Sequence, residues 1–249
     1  MIPKIIHYCW LSDDEFPDLI NKCIKSWQKF LPEYEFIIWD RKKFDIQNNT
    51  WVKEAYNAHK YAFAADYIRF YALYNYGGIY LDADVQILKS FNDLLFNKSF
   101  IGLDSTGDFE AAIIGSEKGV PWIKKILDYY IGKKFIKNNG TYDITPLPLI
   151  IKNQLSSLYQ KKISQKSILE IKDILNIYPC QYFSPKNFHT KKITPNKNTY
   201  CIHHFDGNWV KKSLMISLKE KMHYLILLIF GKKMHYSFVT FIRLLKKIK

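Results

Sequence analysis

Two aspartates one residue apart, Asp82 and Asp84, close the apolar run of "YNYGGIYLDADVQIL" at residues 74–88. In an extended strand residues i and i+2 project to the same side. The spacing therefore predicts that both carboxylates point together, with Ala83 turned away. Adjacent carboxylates repel, and one takes up a proton unless a cation sits between them. A hard divalent ion with oxygen ligands, Mg²⁺ or Mn²⁺, compensates such a pair. Two solvated acids at a strand end satisfy the same spacing without an ion. An EF-hand is excluded, because neither its glycine nor its terminal glutamate follows.

Upstream, "AFAADYIRFY" places Asp66 and Arg69 three residues apart on one helical face. Among Phe63, Ala64, Ala65, Ile68 and Phe70 this charged pair should be partly buried. An intrahelical salt bridge accounts for it by itself. Beside the paired aspartates it acquires chemistry: Asp66 accepts hydrogen bonds from sugar hydroxyls, and Arg69 braces phosphate or sugar oxygens bidentately. A third group is "CIHHFDGNWVKK", residues 201–212. A neutral imidazole completes an octahedral site of carboxylate and phosphate oxygens. Neighbouring histidines on a strand face opposite ways, so at most one of the two binds metal. His204, nearer the glycine turn, is preferred over His203. Beyond it, Trp209 supplies an aromatic lid, and Lys211 and Lys212 neutralise phosphate.

These residues need a scaffold, and the hydrophobic periodicity supplies one. "KIIHYCWL" (4–11) reads as a strand and "FPDLINKCIKSWQKFLP" as a helix with Ile20, Ile24, Trp27 and Leu31 on one face. "YEFIIWD" is a second strand, Thr50 to Tyr76 a helix closed by Gly77 and Gly78, and "IYLDADV" a third strand. "SFIGLD" and "AAIIGS" read as short strands. Helices follow from Pro121 and over 146–158, with further strands at "ILEIKDILNIYP" and "NTYCIHHF". Residues 185–198 have no regular pattern. Strands alternating with helices predict an α/β fold with a mainly parallel sheet. Ligands of such sheets collect at the carboxyl ends of the strands, where the aspartate pair lies.

Of the 249 residues, 48% are apolar and 16% aromatic, which allows a sizeable core and excludes disorder. Cys9, Cys23, Cys180 and Cys201 lack metal-ligand spacing and read as free thiols of a reducing compartment. "MIPKIIHYCW" lacks the features of a secretory signal. The net charge is +14, of which residues 211–249 carry +9 (ten Lys or Arg against Glu220), leaving +5 for residues 1–210. The segment 211–249 repeats apolar residues at helical spacing among lysines. Its longest apolar run, "YLILLIF", is far below the roughly 20 residues that span a bilayer. Basic amphipathic helices of this kind lie on anionic membranes or pack on the body. No nucleic-acid motif accompanies the charge, so no nucleic-acid partner is expected.

In chain order, "IPKIIHYCWL", "AADYIRFYALYNYGGIYLDADV", "FIGLD", "AAIIGS", "TPLPLI", "YPCQYFSP" and "CIHHFDGNW" resemble the DXD-type sugar-transferase family. That family holds bacterial capsule and lipopolysaccharide glycosyltransferases and fungal initiating mannosyltransferases. The glucosylating bacterial toxins are more distant relatives. The resemblance implies a GT-A (Rossmann-like) nucleotide-diphospho-sugar transferase fold over residues 1–210, to which the periodicity of 211–249 adds amphipathic helices. It implies Mn²⁺ or Mg²⁺, a nucleotide-sugar donor (uridine favoured over guanosine) and transfer with retention to a glycan acceptor, lipid-linked or free. Trp10 would stack on the base, and Asp66 and Arg69 would hold the donor sugar. Asp82 would meet ribose and metal, Asp84 and His204 the metal, and Trp209, with Lys211 beside it, the phosphates. Asn208 stands where members often have Ser, and "TPLPLI" has Leu where they carry Gly-Pro. The resemblance also implies surface-polysaccharide synthesis at the cytoplasmic face of the cell membrane.

Two rival readings use the same residues. "IYLDADV" also looks like the motif of haloacid-dehalogenase-type phosphatases, with Asp82 as nucleophile and Asp84 as general acid. Those enzymes carry the motif near the N-terminus, and "GDFEAA" lacks their later acid. A non-catalytic basic module binding membrane or nucleic acid would not need Asp66, Arg69, Asp82, Asp84 and a histidine together.

Overall fold

A computed structural model of the chain describes residues 1–158, 163–187 and 190–206. The expected amphipathic segment 211–249, with Trp209, Lys211, Lys212 and Asn208, lies outside the described residues. Strand β1 (Ile5–Cys9) is followed by helix α1 (Asp18–Phe30), β2 (Glu35–Trp39), α2 (Thr50–Asn57), α3 (Tyr61–Tyr76), β3 (Gly78–Leu81) and β4 (Val85–Ile87). Then come β5 (Ser99–Leu103), β6 (Phe109–Ser116), α4 (Pro121–Tyr129), α5 (Leu147–Leu155), β7 (Leu169–Ile171), β8 (Leu175–Tyr178), α6 (Cys180–Phe183) and β9 (Cys201–His203). The order β2-β1-β3-β6-β5-β8-β7 makes one seven-stranded sheet, and β4 and β9 pair separately. The α/β expectation holds. β1 runs parallel to β2 and β3, and β5 parallel to β8, while β6 runs antiparallel between β3 and β5.

Both faces of the sheet are covered. Alternation along β3 sends Ile79 and Leu81 into one core with Ile6, Trp27 and Phe100, and Tyr80 into the other with Ile68, Trp51 and Trp122. Helix α3 is buried on most of its circumference, through Ala64, Ala65, Ile68, Phe70, Ala72 and Leu73, because it lies between the sheet, α2 and α4. A helix apolar all round is a buried helix, and its few charges are therefore forced into pairs.

The structure departs from the expected elements where tertiary contacts cut a periodic segment. Residues 50–76 form two helices, broken where His59 adopts φ 55°, a left-handed conformation that no continuous helix accepts. "IYLDADV" is not one strand: β3 stays in the large sheet, and β4 leaves it to pair with β9. Between them the chain turns, with the N–H of Val85 donating to Asp82 O at 3.0 Å. "ILEIKDILNIYP" is a hairpin, β7–β8, that turns at Asp173 (φ 57°).

The start of β3 is held by a close approach. Gly78 has φ 105°, and a Cβ there would meet Ile5 O at 2.7 Å, so only glycine lets β3 lie against β1. Beside it, buried His7 accepts from Trp39 Nε1 at Nδ1 (3.1 Å), so its Nε2–H donates to Gly77 O (2.7 Å). The other side of the turn is anchored by α1. Trp27 Nε1 donates to Val85 O at 2.6 Å, and Ser26 Oγ accepts from Ile87 N at 2.9 Å.

Candidate active site

Helix α3 delivers Asp66 and Arg69 to the carboxyl end of β3. The pair is buried, with Nη2 of Arg69 donating to Asp66 Oδ1 at 3.1 Å. The same guanidinium stands 3.4 Å from Asp82 Oδ1, donates to Ala111 O at 2.7 Å and covers the Tyr80 ring at 4.6 Å. Nε points to Ala65 O at 3.4 Å. With Asp66, Asp82 and two backbone carbonyls around it, Arg69 is the cation that positions the two acids.

Asp82 and Asp84 do converge, but through the turn rather than through strand alternation. Asp82 Oδ1 accepts from Tyr80 Oη at 3.0 Å, and Asp82 N donates to Ala112 O at 2.9 Å. Asp84 Oδ2 accepts from the backbone of Asp206 at 2.9 Å, and Asp84 O accepts from His204 N at 3.2 Å. The third member is His203, whose Nε2 lies 3.3 Å from Asp84 Oδ1. Ligand atoms of Asp82, Asp84 and His203 all fall within 4.8 Å of one another. The preference for His204 is corrected. His204 lies on the other side of the chain, its Nε2 3.0 Å from Gln86 Oε1, and its carbonyl is taken by Lys186.

Glu110 on β6 escaped the reading of the sequence. Its Oε2 lies 3.2 Å from His203 Nδ1 and accepts from Ser184 Oγ at 2.7 Å. The signal was present as the lone acid in the apolar run "FEAAIIGS". It is brought here by a bulge. Ile101 pairs with Ile114 but Gly102 pairs with Glu110, so Ala111, Ala112 and Ile113 face a single step of β5. Bulges re-aim side chains next to active sites. Here the looped-out carbonyls of Ala111 and Ala112 take Arg69 and Asp82 N.

Acids outnumber basic groups around this turn. Burial pushes Asp66 up to about 7 despite Arg69 beside it, and burial likewise raises Asp82 against the pull of Arg69. Burial works against Asp84 as well, but the His203 ring and the Asp206 N–H bring it down to about 2. Burial disfavours the His203 imidazolium, yet the carboxylates of Asp84 and Glu110 hold it well above the usual histidine value. Four acids, Asp66, Asp82, Asp84 and Glu110, thus share Arg69 and one imidazole. Two carboxylates and an imidazole are a fitting donor set for Mn²⁺, and for Mg²⁺ with more water.

Trp10 follows β1 directly, one residue beyond Cys9, whose thiol is pushed up to about 12 by burial beside Arg69, Tyr80 and Asp82. Its indole donates to Asp14 O at 2.9 Å and meets Phe16 edge-on at 4.9 Å. The ring lines a cleft of about 200 Å³ with Ser12, Ile38, Asp40 and Arg41, at the carboxyl ends of β1 and β2. Trp10 and the acid cluster therefore occupy one end of the same sheet.

Residues 17–101 match the family described as "Glycosyltransferase sugar-binding region containing DXD motif". An inositol phosphoceramide mannosyltransferase of Schizosaccharomyces pombe is 31% identical over 130 residues, 51% of this chain and 36% of that protein. A mannosyl phosphorylinositol ceramide synthase of Saccharomyces cerevisiae is 28% identical over 134 residues, 51% of this chain and 35% of that one. An uncharacterized glycosyltransferase of Acanthamoeba polyphaga mimivirus is 24% identical over 241 residues, 92% of each. The chain spans about a third of the length of the first two fungal relatives. Among solved structures, the PaToxG glycosyltransferase aligns with a TM-score of 0.46 at 23% identity, over 63% of this chain and 71% of that one.

Proposed function

We propose, from the match of residues 17–101 to the family of DXD-containing glycosyltransferase sugar-binding regions, that this protein is a metal-dependent glycosyltransferase. It moves a sugar from a nucleoside diphosphate to a glycan or a lipid-linked glycan acceptor. The observation that carries this reading is the meeting of Asp82, Asp84 and His203 beside the Asp66–Arg69 pair, at the carboxyl end of β3.

When bound, a divalent cation supplies Lewis-acid stabilisation of the leaving diphosphate, on the order of several kcal/mol. Asp82, Asp84 and His203 would hold it. Asp66, fixed by Arg69, offers acceptor oxygens to the hydroxyls of the donor sugar. Trp10 gives the base a ring to stack on in the cleft between β1 and β2. The anomeric centre becomes oxocarbenium-like, as in glycoside hydrolysis. Asp66 is held by Arg69, and Glu110 by Ser184 and His203, so both are read as holding groups rather than as the nucleophile. Retention then proceeds by attack from the face of departure, with the leaving phosphate oxygen taking the acceptor's proton.

The chemistry of the acceptor follows the relatives. The two fungal relatives carry inositol phosphoceramide mannosylation in their names, so a phosphoinositol-bearing lipid joins surface polysaccharide as an acceptor class. A lipid acceptor places the enzyme at a membrane surface, the cytoplasmic leaflet in this reading, with residues 211–249 as its contact. The phosphatase reading is disfavoured by Asp82 itself, which is tied to Arg69 and Tyr80 rather than presented alone. The test is a thermal-shift and transfer screen of uridine and guanosine diphosphate sugars, mannose donors included, with and without Mn²⁺. Stabilisation and sugar transfer that both require Mn²⁺ are expected. Neither occurring with any donor would overturn the reading.

A further inference from the structure

Glu110 is buried at 5% exposure, and the ion-pair partner it meets among the described residues is His203. Three donors fix its carboxylate. Ala112 N donates to Oε1 at 3.0 Å, Ser184 Oγ donates to Oε2 at 2.7 Å, and His203 Nδ1 lies 3.2 Å from Oε2. The fold builds this arrangement deliberately. The bulge in β6 turns Glu110 and Ala112 toward each other. Gly102 admits the Phe183 ring, which a Cβ would meet at 2.8 Å, and so lets α6 seat Ser184 against Glu110. A carboxylate bonded from three sides is an acceptor of fixed direction.

We propose that Glu110 is a positioning residue for the cation site. It accepts a hydrogen bond from the Nδ1–H of His203, so that Nε2, beside Asp82 and Asp84, is the nitrogen that gives up its proton when a cation binds. This rests on the reading of Asp82, Asp84 and His203 as a divalent-cation site. A ring that ligates through one nitrogen needs its proton on the other, and an outer carboxylate that fixes the tautomer raises affinity. Glutamine at this position cannot do the same. If its amide oxygen faces His203, its NH₂ meets the Ala112 N–H, donor against donor. If it turns over, NH₂ faces Nδ1, which must then accept, and the proton moves to Nε2.

The test measures Mn²⁺ alone, by electron paramagnetic resonance of the free ion. Four proteins are compared at one pH: wild type, Glu110→Gln, His203→Ala and the double variant. Glu110→Gln is expected to weaken Mn²⁺ binding about 10–100-fold in the wild-type background, with no further loss once His203 is gone. Unchanged affinity in Glu110→Gln, or an equal loss in both backgrounds, overturns the proposal. Should Glu110→Gln fail to fold, Ser184→Ala decides in the same two backgrounds, with a smaller loss confined to the one that keeps His203. No loss there is equally fatal. Wild type and Asp84→Ala binding Mn²⁺ alike would bring down the cation site itself. Intact wild-type binding with an indifferent Glu110 variant removes only the role of Glu110.

Discussion

Arg69 Nη1 stands 3.4 Å from Asp82 Oδ1, so one guanidinium on α3 holds the end of the strand that the helix covers. Its other hand is on Asp66, at 3.1 Å. Both acids are pushed up by burial despite it, which shows how much they depend on that one cation.

Removing it should therefore be costly. Arg69→Ala leaves buried Asp66 and part-buried Asp82 without their partner, and breaking a buried pair in this way costs about 3–5 kcal/mol. Arg69→Lys keeps the charge but not the planar fork, and should fall between. Urea denaturation measures both. A loss below about 1 kcal/mol for Arg69→Ala would mean that the pair behaves like an exposed one.

The two adjacent histidines separate in a single experiment. His203 lies 3.3 Å from Asp84, whereas His204 is engaged with Gln86. Mn²⁺ should raise the melting temperature of wild type and of His204→Ala, but not of His203→Ala or Asp84→Ala. Turnover in Asp84→Ala should drop by about 10²–10³, the equivalent of losing roughly 3–4 kcal/mol of charge stabilisation. An upshift that survives in His203→Ala and vanishes in His204→Ala would reverse the assignment.

His7 sets a pH dependence of stability. Burial lowers it to about 4 from 6.5, against the Gly77 carbonyl, which favours the charged ring. The unfolded chain binds this proton more readily than the folded one. The contribution is present above pH 6.5 and is lost as pH falls toward 4, amounting to roughly 3 kcal/mol in all. In His7→Phe that slope disappears. The stability gap between wild type and variant, measured in urea at pH 7.5 and 4.5, should narrow at the lower pH. A gap of constant size would show that His7 titrates alike in both states.

What the sequence made legible was local. The period of α1, the glycine pair before β3 and the acids after it are all contained in short windows. The Asp-X-Asp spacing announced the convergence of Asp82 and Asp84 by the wrong geometry, because the turn at Asp82–Asp84 exists only where β4 leaves the sheet to meet β9. Alternation said that one of His203 and His204 would face the acids. The pairing of β9 with β4, set by residues over a hundred positions away, decided which. Glu110 was hidden for the same reason: a bulge is a relation between β5 and β6, not a property of "FEAA".

The same reasoning makes α1 part of the site, through its hold on β4. Val85 follows Asp84 directly, and its carbonyl is held by the Trp27 indole at 2.6 Å. Trp27→Phe keeps the ring but leaves that buried carbonyl unpaired, at a cost of about 1–3 kcal/mol. If β4 is what aims Asp84, the variant should also bind Mn²⁺ about 3–10-fold more weakly, a coupling of roughly 1 kcal/mol. Trp122→Phe is the control. It loses a buried indole bond of similar kind, to Ser99 Oγ at 2.8 Å on β5, and should lower stability comparably while leaving Mn²⁺ affinity unchanged. Equal effects of the two variants on Mn²⁺ binding would mean that lost stability alone, and not the anchoring of β4 by α1, governs the site.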